Sequence, residues 1–558
     1  MNSKIIHPKN LLSWFYKIVP LCATIVLFVA IALFPLVIIK LEGVSLGIGM
    51  IPTILYVLPL ILLFTLPRQR WITILLTTLV CIASVAEVSM LLIGKNLLES
   101  GMIVAILTTT AEEAAAVMDS NLSVLWYVVP MMVLYVFACI YYYKIKLPNF
   151  KTRFVGFTCV FILVAGYYLT KTWDVDRSRY KWYEDTILSR PPYHFYCQLY
   201  RATDNIITQN YMANAASEMS DFSYRAKRSS SNSINETYIL CIGESMRYGN
   251  VSINGTYPRT TTPNLEELGN LISYTDYYST ACLTMYAVPL LITPATPSTY
   301  EQSYLARSIF APFEEIGFKT FILATKGQLL LLDNRDYLRL GVDSIVIMNN
   351  DSCVIDLVKE ISTEYPKSFI LIELWGSHHP YYNYPQEFDI YTPTNHTDPA
   401  KYTDERYFIN AYDNSILYTD YILSSLAKEL DPMNVCAAML YTSDHGESIS
   451  NERYGHGFEH YPEPVDLYKV EYHVPLMFWY SDKYEQIYPT KVSAFESHKH
   501  KPINANYIFY SSCGMADIDI TAWSNDFGLA NHNLFEDSIV LKPREILLTD
   551  GEHIMNVD

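Results

Sequence analysis

Long apolar runs in the first 170 residues constrain this chain more than any other feature. A helix needs about 20 apolar residues to cross a bilayer. Five stretches approach that length: Ile18–Ile39, Met50–Leu66, Trp71–Ile93, Val124–Tyr143 and Phe154–Thr170. The first is too long for a cleavable signal peptide, and further spans follow it directly. The sequence therefore predicts a transmembrane domain of five helices over residues 1–170.

Basic residues in the predicted loops indicate how the spans are oriented, because cytoplasmic loops carry an excess of Lys and Arg. They precede the first span and separate the second from the third and the fourth from the fifth: Lys4, Lys9, Lys17, Arg68, Arg70, Lys144, Lys146, Lys151 and Arg153. All of them share one side if the N-terminus is cytoplasmic. Five spans then place everything after Thr170 on the other side, which in a Gram-negative cell is the periplasm.

Residues 171–235 have the composition of a connector. The part around Trp173–Tyr200 is rich in aromatic and basic residues, which is typical of a surface in the lipid headgroup layer. Lys227–Asn235 contains mainly small polar residues and resembles an exposed linker. We predict interfacial helices and a linker over 171–235 and a periplasmic domain over 236–558.

The periplasmic part alternates apolar strand candidates with amphipathic helices such as Leu305–Ile316 and Glu405–Leu430. The strand candidates are Tyr238–Ile242, Phe318–Leu323, Phe369–Glu373, Ala437–Tyr441 and Pro475–Tyr480. This alternation predicts an α/β fold with a mostly parallel sheet. The formal net charge of −17 argues against a nucleic-acid partner.

Ligands of such sheets bind beyond the carboxyl ends of the strands, and several of those ends carry carboxylates and imidazoles. Glu244 follows one strand, His378 another, and Asp444 and His445 a third, with His456 soon after. One such residue alone is most often solvated or a cap. Together they offer the oxygen and nitrogen ligands that a zinc-like ion accepts.

Ser279–Pro289 resembles a polar loop that runs into a helix and could supply a nucleophile. A hydroxyl at a helix N-terminus suits a phosphate, because free N–H groups and the helix dipole favour anions there. A metal ion would activate such a hydroxyl. The alternative is that Thr280 or Thr284 simply caps the helix.

These motifs together resemble those of the lipid A phosphoethanolamine transferases, the family that includes the mobile colistin-resistance enzymes. The resemblance covers the whole chain. It is carried by Gly243–Arg247, Pro258–Pro263, Thr284–Pro289, Gly376–His378, Tyr412–Tyr418, Ser443–Ser448 and Gly455–Gly457. It implies five spans, a linker, and an alkaline-phosphatase-like (sulfatase-like) catalytic domain.

The resemblance also implies specific roles. One tightly bound Zn²⁺ would be held by Glu244, Thr284, Asp444 and His445, with Thr284 as the nucleophile that becomes phosphoethanolaminylated. His378 and His456 would bind the donor phosphate or a second, weaker zinc, and one of them could protonate the leaving group. Thr109, Glu113 and Lys326 match further substrate-contact positions of the family, although Ala105 replaces a family Asn.

The activity implied is transfer of phosphoethanolamine from phosphatidylethanolamine to lipid A or another envelope glycan, at the inner membrane. We expect a monomer. A disulfide near the nucleophile that family members often have is not expected, because Thr280 and Leu290 stand at those positions. We expect mostly buried free thiols.

Three alternatives remain at this point. A phosphoglycerol transferase has a similar plan and a threonine nucleophile. A sulfatase or sulfatase-like phosphodiesterase would share the fold, but a sulfatase needs Pro or Ala and then Arg after its Cys or Ser, whereas Cys282–Tyr286 has neither. The third is a non-catalytic membrane sensor on the same fold.

Overall fold

The computed structural model describes most of the C-terminal part of the chain and some of its apolar N-terminal part. The described residues are 8–41, 64, 69–93, 97–98, 100–108, 122–147, 193–217, 222–229, 234–255, 257–325, 336–379, 381–394, 405–450, 453–456, 470–520, 528–532, 545–547 and 554–556. They divide into two compact units. One comprises Met1–Ile103 and Asn121–Arg201, and the other comprises Val104–Ser120 and Ala202–Asp558.

Apolar helices dominate the first unit. The helices up to residue 217 are α1 (Pro8–Ala32), α2 (Phe34–Leu41), α3 (Arg70–Ile93), α4 (Ser100–Thr108), α5 (Leu125–Lys144) and α6 (Tyr193–Ser217). Two helical stretches, Arg70–Ile93 and Leu122–Lys144, are long and apolar enough to cross a membrane. On α5 the side chains of Trp126, Val133 and Phe137 are more than half exposed, as expected of a helix facing lipid.

These two stretches coincide with the third and fourth predicted spans. The first predicted span falls on α1 and α2, which a break at Leu33 separates. The second span, apart from Phe64, and the fifth span lie outside the described residues. Five spans therefore stay a prediction.

A buried polar network lies inside the first unit. Glu87, in the apolar helix α3, is fully buried. Its Oε1 lies 2.9 Å from Nδ1 of His194, and its Oε2 accepts the backbone N–H of Leu98 at 3.0 Å. Gln198 extends the network, because its Nε2 lies 3.2 Å from Nε2 of His194 and its Oε1 accepts the N–H of Ser100 at 3.2 Å. These contacts satisfy a carboxylate that would be costly to bury alone.

A seven-stranded sheet forms the centre of the second unit. The strands of the second unit are β1 (Ala226–Arg228), β2 (Glu236–Gly243), β3 (Leu271–Ser273), β4 (Tyr277–Tyr278), β5 (Lys319–Thr325), β6 (Ser344–Met348), β7 (Lys367–Glu373), β8 (Cys436–Ser443), β9 (Ser448–Ser450), β10 (Arg453–Gly455), β11 (Leu476–Tyr480), β12 (Ile503–Asn504), β13 (Ile518–Ile520), β14 (Glu545–Leu547) and β15 (Ile554–Asn556). The order in the large sheet is β3-β11-β8-β2-β7-β5-β6. Only β11 runs against the others, so the sheet is mixed but mostly parallel.

Helices cover both faces of this sheet. Those of the second unit are α7 (Pro263–Glu266), α8 (Thr284–Ile292), α9 (Phe310–Glu315), α10 (Cys353–Glu364), α11 (Glu405–Leu430), α12 (Asp482–Ile487), α13 (Pro489–Ser497) and α14 (Ile508–Met515). Alternate residues of β2 enter two cores. Leu240 packs on the α8 and α14 side and Ile239 on the α10 and α11 side.

One predicted helix and both edge strands of the large sheet, β3 and β6, differ from the sequence prediction. The helix predicted over Leu305–Ile316 shortens to α9, because Pro312 lacks an N–H and is tolerated only in the first turn of a helix. The edge strand β6 was not predicted. Its β-branched run Ile345–Ile347 was the available signal, and its alternating exposure is that of an edge strand.

The register of the three central strands positions the site. Gly243 of β2 pairs with Ser443 of β8, and Ile242 pairs with Glu373 of β7. Because these strands are parallel and adjacent, their carboxyl ends lie at one edge of the sheet. The residues that follow them are therefore neighbours, although up to 200 positions separate them along the chain.

Candidate metal and nucleophile site

Four predicted ligand residues meet at this edge. Glu244 follows β2, Asp444 and His445 follow β8, and Thr284 is the first residue of α8. Oγ1 of Thr284 lies 3.0 Å from Oε1 of Glu244 and 3.2 Å from Nε2 of His445. The same imidazole nitrogen is 3.3 Å from Oε1 of Glu244 and from Oδ2 of Asp444. The four side chains therefore surround one point.

Hydrogen bonds orient the ligands toward that point. Oδ1 of Asp444 accepts the backbone N–H groups of Ser245 (3.1 Å) and His445 (2.7 Å). Oδ2 of Asp444 is buried and has no hydrogen-bond partner among the residues that the structure describes. Nδ1–H of His445 donates to the carbonyl of Gly446 at 2.8 Å, which leaves the Nε2 lone pair directed at the cluster.

This arrangement fits a zinc ion. The ligand atoms of Glu244, Asp444 and His445 all lie within 4.8 Å of one another, and the Thr284 hydroxyl adds a fourth donor. Carboxylate oxygen and imidazole nitrogen are ordinary zinc ligands. The buried Oδ2 of Asp444, which has no hydrogen-bond donor, is the atom that a cation would satisfy.

The buried carboxyl groups of the cluster also favour a bound cation. Burial and the negative charge of Glu244 raise the pKa of Asp444 to about 7. Burial alone would lower the pKa of His445, but the charges of Asp444 and Glu244 outweigh it and raise that pKa to about 10. Burial would raise the pKa of Glu244, but the hydrogen bond and charge of His445 outweigh it and hold that pKa at about 2. Positive charge on His445 stabilises the carboxylates, a role that a divalent ion fills better.

A second group of residues lies beside the cluster. The rings of His456 and His445 are 4.1 Å apart, and Nδ1 of His456 is 3.9 Å from Oε1 of Glu447. The ring of His378 packs edge-on against Trp375 at 4.9 Å. Both His378 and His456 lower the pKa of Glu244 electrostatically. Within the described part of the chain, three buried atoms of this group have no hydrogen-bond partner: Nδ1 of His378, Nδ1 of His456 and Oε2 of Glu447.

A glycine loop presses against the backbone of the metal ligand Glu244. Gly376 has a φ of +56°, and the N–H of Ser377 donates to the carbonyl of Glu244 at 2.9 Å. Asp351 holds this loop by accepting the N–H groups of Trp375 (2.9 Å) and Gly376 (3.0 Å). Burial raises the pKa of Asp351 to about 6. Asp351 was not predicted, because nothing in its local sequence separates it from an ordinary turn residue.

Helix α11 holds the loop that follows Glu244. The hydroxyl of Tyr412 donates to the carbonyl of Ser245 at 2.7 Å and accepts the N–H of Arg247 at 2.9 Å. Asp413 accepts hydrogen bonds from three side chains of the next segment: Asn250 at 2.8 Å, Tyr257 at 2.7 Å and Arg259 at 2.7 Å. The motifs at Gly243–Arg247, Pro258–Pro263 and Tyr412–Tyr418 therefore form one support for the site.

Glu373, the last residue of β7, is a further site residue that was not predicted. Its sequence position indicates only the end of a strand. It lines a small pocket whose wall consists of Ile242, Gly243, Glu244, Thr284, Val288, Glu373 and Leu374. Burial, together with the charges of Glu244 and Asp444, raises the pKa of Glu373 to about 8.

Three predicted substrate-contact residues, Thr109, Glu113 and Lys326, lie outside the described residues. Their roles stay predictions.

Replacing Gly376 by alanine is expected to lower zinc affinity by about tenfold or more, in the range of changes to groups that orient ligands. A Cβ here would lie 2.9 Å from the backbone nitrogen of Glu244 and would displace that ligand. Gly255→Ala is the matched control, because Gly255 also has a positive φ (+71°) but a Cβ there meets nothing within 4 Å. Zinc titration of both variants measures the difference, and equal affinities would contradict the steric argument.

Zinc is expected to stabilise the protein more as pH rises from 5 to 8. Without metal, the raised pKa of Asp444 (about 7) means that the folded form binds a proton that the unfolded form releases near pH 4, so stability falls as pH rises between these values. The raised pKa of His445 (about 10) acts in the same direction above its ordinary value of 6.5. Bound zinc replaces these protons. The difference in Tm between zinc-loaded and chelated protein measures the effect, and a difference independent of pH would contradict it.

The fold and site define a mixed α/β domain with a candidate metal cluster and a hydroxyl at the carboxyl edge of its central sheet. The chain belongs to the sulfatase family, whose sequence model matches residues 236–518.

Proteins related in sequence are more specific about activity than the family model. Phosphoethanolamine transferase EptC of Escherichia coli K12 is 27% identical over 288 residues, which are 47% of this chain and 48% of that protein. Phosphoethanolamine transferase EptA of Helicobacter pylori is 29% identical over 295 residues, 50% of this chain and 53% of that protein. The chain thus spans about half the length of the curated relatives it matches. The resemblance to phosphoethanolamine transferases is confirmed.

Solved structures share the fold. The integral membrane lipooligosaccharide phosphoethanolamine transferase A (EptA) of Neisseria meningitidis aligns with 92% of this chain and 98% of its own, with a TM-score of 0.67 and 18% identity. The periplasmic domain of EptC from Escherichia coli, in complex with Zn, aligns with 60% of this chain and 95% of its own, with a TM-score of 0.50 and 23% identity.

Proposed function

We propose that the protein is a zinc-dependent phosphoethanolamine transferase. It moves phosphoethanolamine from phosphatidylethanolamine to lipid A or another envelope glycan. The observation that carries this proposal is the Thr284 hydroxyl, placed at the start of a helix and within 3.0–3.2 Å of Glu244 and His445. A hydroxyl held between metal-ligand candidates in a sulfatase-family domain is suited to attack phosphorus. The transferred group is inferred from the relatives, which are phosphoethanolamine transferases.

Glu244, Thr284, Asp444 and His445 would hold one tightly bound zinc. Zinc bound there would act as a Lewis acid that lowers the pKa of a hydroxyl and offsets negative charge on the phosphoryl oxygens. His378 and His456 could bind the donor phosphate or a second, weaker zinc.

The transfer would occur in two displacements at phosphorus. In the first, Oγ1 of Thr284 forms a bond to phosphorus as the bond from phosphorus to the diacylglycerol oxygen breaks. The hydroxyl proton passes to a base of the site, and the leaving alkoxide takes a proton from His378 or His456. In the second, an acceptor oxygen forms a bond to phosphorus and gives up its proton to a base of the site. The bond from phosphorus to Oγ1 of Thr284 breaks, and Oγ1 takes back a proton. The free N–H groups at the start of α8 favour phosphate there.

The membrane half would bring the active site to its lipid substrates. We propose five spans, a cytoplasmic N-terminus, a periplasmic catalytic domain and a monomer, with Thr109, Glu113 and Lys326 as further substrate contacts. The two apolar stretches of the described residues support part of this topology. Anchoring two lipids and the site in one membrane raises their effective concentration.

Mass spectrometry of lipid A from cells with and without the protein tests the activity and the acceptor together. We expect a phosphoethanolamine adduct only when the protein is present. Purified protein supplied with phosphatidylethanolamine or phosphatidylglycerol then separates the proposal from a phosphoglycerol transferase. Covalent labelling from phosphatidylglycerol alone would reject phosphoethanolamine transfer, and labelling from neither lipid would favour the non-catalytic sensor.

A further inference from the structure

We propose that Glu373 receives the ammonium end of the transferred group, so that this carboxylate selects phosphoethanolamine donors over donors with an uncharged headgroup. This inference rests on the proposed function and assigns the headgroup specificity of the same site. No bond to the ammonium forms or breaks, because the group is carried through both displacements unchanged.

The pocket beside the nucleophile places Glu373 where a substituent on phosphorus can reach it. Glu373 ends β7, and Leu374, the next residue, donates its N–H to the carbonyl of Ile242 at 3.0 Å. This pairing fixes Glu373 next to the strand that delivers Glu244. Thr284 and Glu244 form part of the pocket wall. A group attached through phosphorus to Thr284 therefore has the pocket of Glu373 directly beside it.

Glu373 lacks the partner that a buried carboxyl group needs. Its side chain is 6% exposed, and its Oε2 is buried without a hydrogen-bond partner among the described residues. A buried carboxyl oxygen without a donor is costly. The narrow pocket has room for a group about as large as a water molecule. An ammonium group has this size and brings three donors with a positive charge.

The charges around the nucleophile are arranged to match a zwitterion. A cation beside Glu373 favours its ionised form. Ionised Glu373 and Glu244 together give the pocket a negative charge, which disfavours phosphoryl oxygens there. Imidazoles lie elsewhere in the site, where the tilted rings of His456 and His445 have their centroids 4.1 Å apart. A phosphoethanolamine group has an anionic phosphate and a cationic amine two carbons further on, and so matches both regions. A phosphoglycerol group has no cation to place beside Glu373.

A binding comparison tests this inference without relying on transfer. The probes are O-phosphoethanolamine and ethyl phosphate, which differ by the ammonium group. We expect zinc-loaded, full-length wild-type protein to bind O-phosphoethanolamine more tightly, and Glu373→Gln to lose about 30-fold or more of that preference, the range for a buried charge pair that loses one partner. Affinity for ethyl phosphate should change little. Glu314→Gln, a substitution of a surface glutamate that pairs with Arg307, is the control and should keep the preference.

Zinc content and donor choice complete the test. Glu373→Gln should keep its zinc and raise KM for phosphatidylethanolamine more than it lowers kcat. An unchanged preference, equal weakening of both probes, or loss of zinc would each overturn the assignment. If Glu373→Gln fails to fold, Glu373→Asp serves instead and should reduce the preference. If wild-type protein prefers O-phosphoethanolamine through Glu373 yet transfers nothing from phosphatidylethanolamine, the proposed function fails while the ammonium site stands.

Discussion

Replacing Thr284 by alanine is expected to abolish transfer of phosphoethanolamine, with a loss of roughly 10³-fold or more, as for removal of other catalytic nucleophiles. The fold should survive, because the hydroxyl makes hydrogen bonds only to Glu244 and His445 among the described residues and does not cap its own helix. One lost hydrogen bond costs about 1 kcal/mol. Initial rates with phosphatidylethanolamine, and intact-mass detection of the covalent adduct, measure the effect.

Thr284→Ser is the matched control for this experiment. It keeps an oxygen at the same position and removes only a methyl group, so we expect it to keep an adduct and most of the activity. An adduct on the alanine variant would show that another residue is the nucleophile. Complete loss of activity in the serine variant would show that activity depends on the packing of the threonine methyl group and not on the oxygen alone.

Asp444→Asn is expected to lower zinc affinity by roughly 100-fold or more, since loss of a direct ligand should exceed the 10- to 100-fold effects of groups that only orient ligands. The amide is uncharged, and its oxygen and nitrogen cannot both serve a site where Oδ1 accepts two N–H groups and Oδ2 faces the cluster. Elemental analysis and competition with a chelator measure the change. Asp343→Asn, at an aspartate paired with Lys319, is the control and should bind zinc normally.

In the metal-free protein, Asp444→Asn should maintain or raise the stability of the fold. The pKa of Asp444 is raised to about 7 by burial and by Glu244, so at pH 8 its charge destabilises the metal-free fold. Removing that charge should leave the chelated variant at least as stable as chelated wild type at pH 8. Thermal unfolding after chelation measures this. A lower Tm together with normal zinc content would assign Asp444 a structural role in place of ligation.

The sequence predicted the α/β class and the metal-ligand candidates because both depend on local patterns. Buried β-strands appear as short apolar runs, and residues such as Asp444 and His445 stand directly after one of them. Thr284 was placed at a helix start, where α8 begins. Glu244 and Asp444 meet because β2 and β8 are parallel neighbours, and alternation predicts parallel strands without giving their order.

Only the tertiary structure shows the strand order, the register and the buried carboxyl oxygens that have no hydrogen-bond donor among the described residues. Asp351 reaches the Gly376 loop, and Glu373 opens into the pocket of Thr284, only because β7 lies beside β2. A single carboxylate at a strand end has the same local sequence whether it faces solvent or an active site. Its function depends on burial and on distant neighbours, and these are set by how the strands pack rather than by the residues on either side of it.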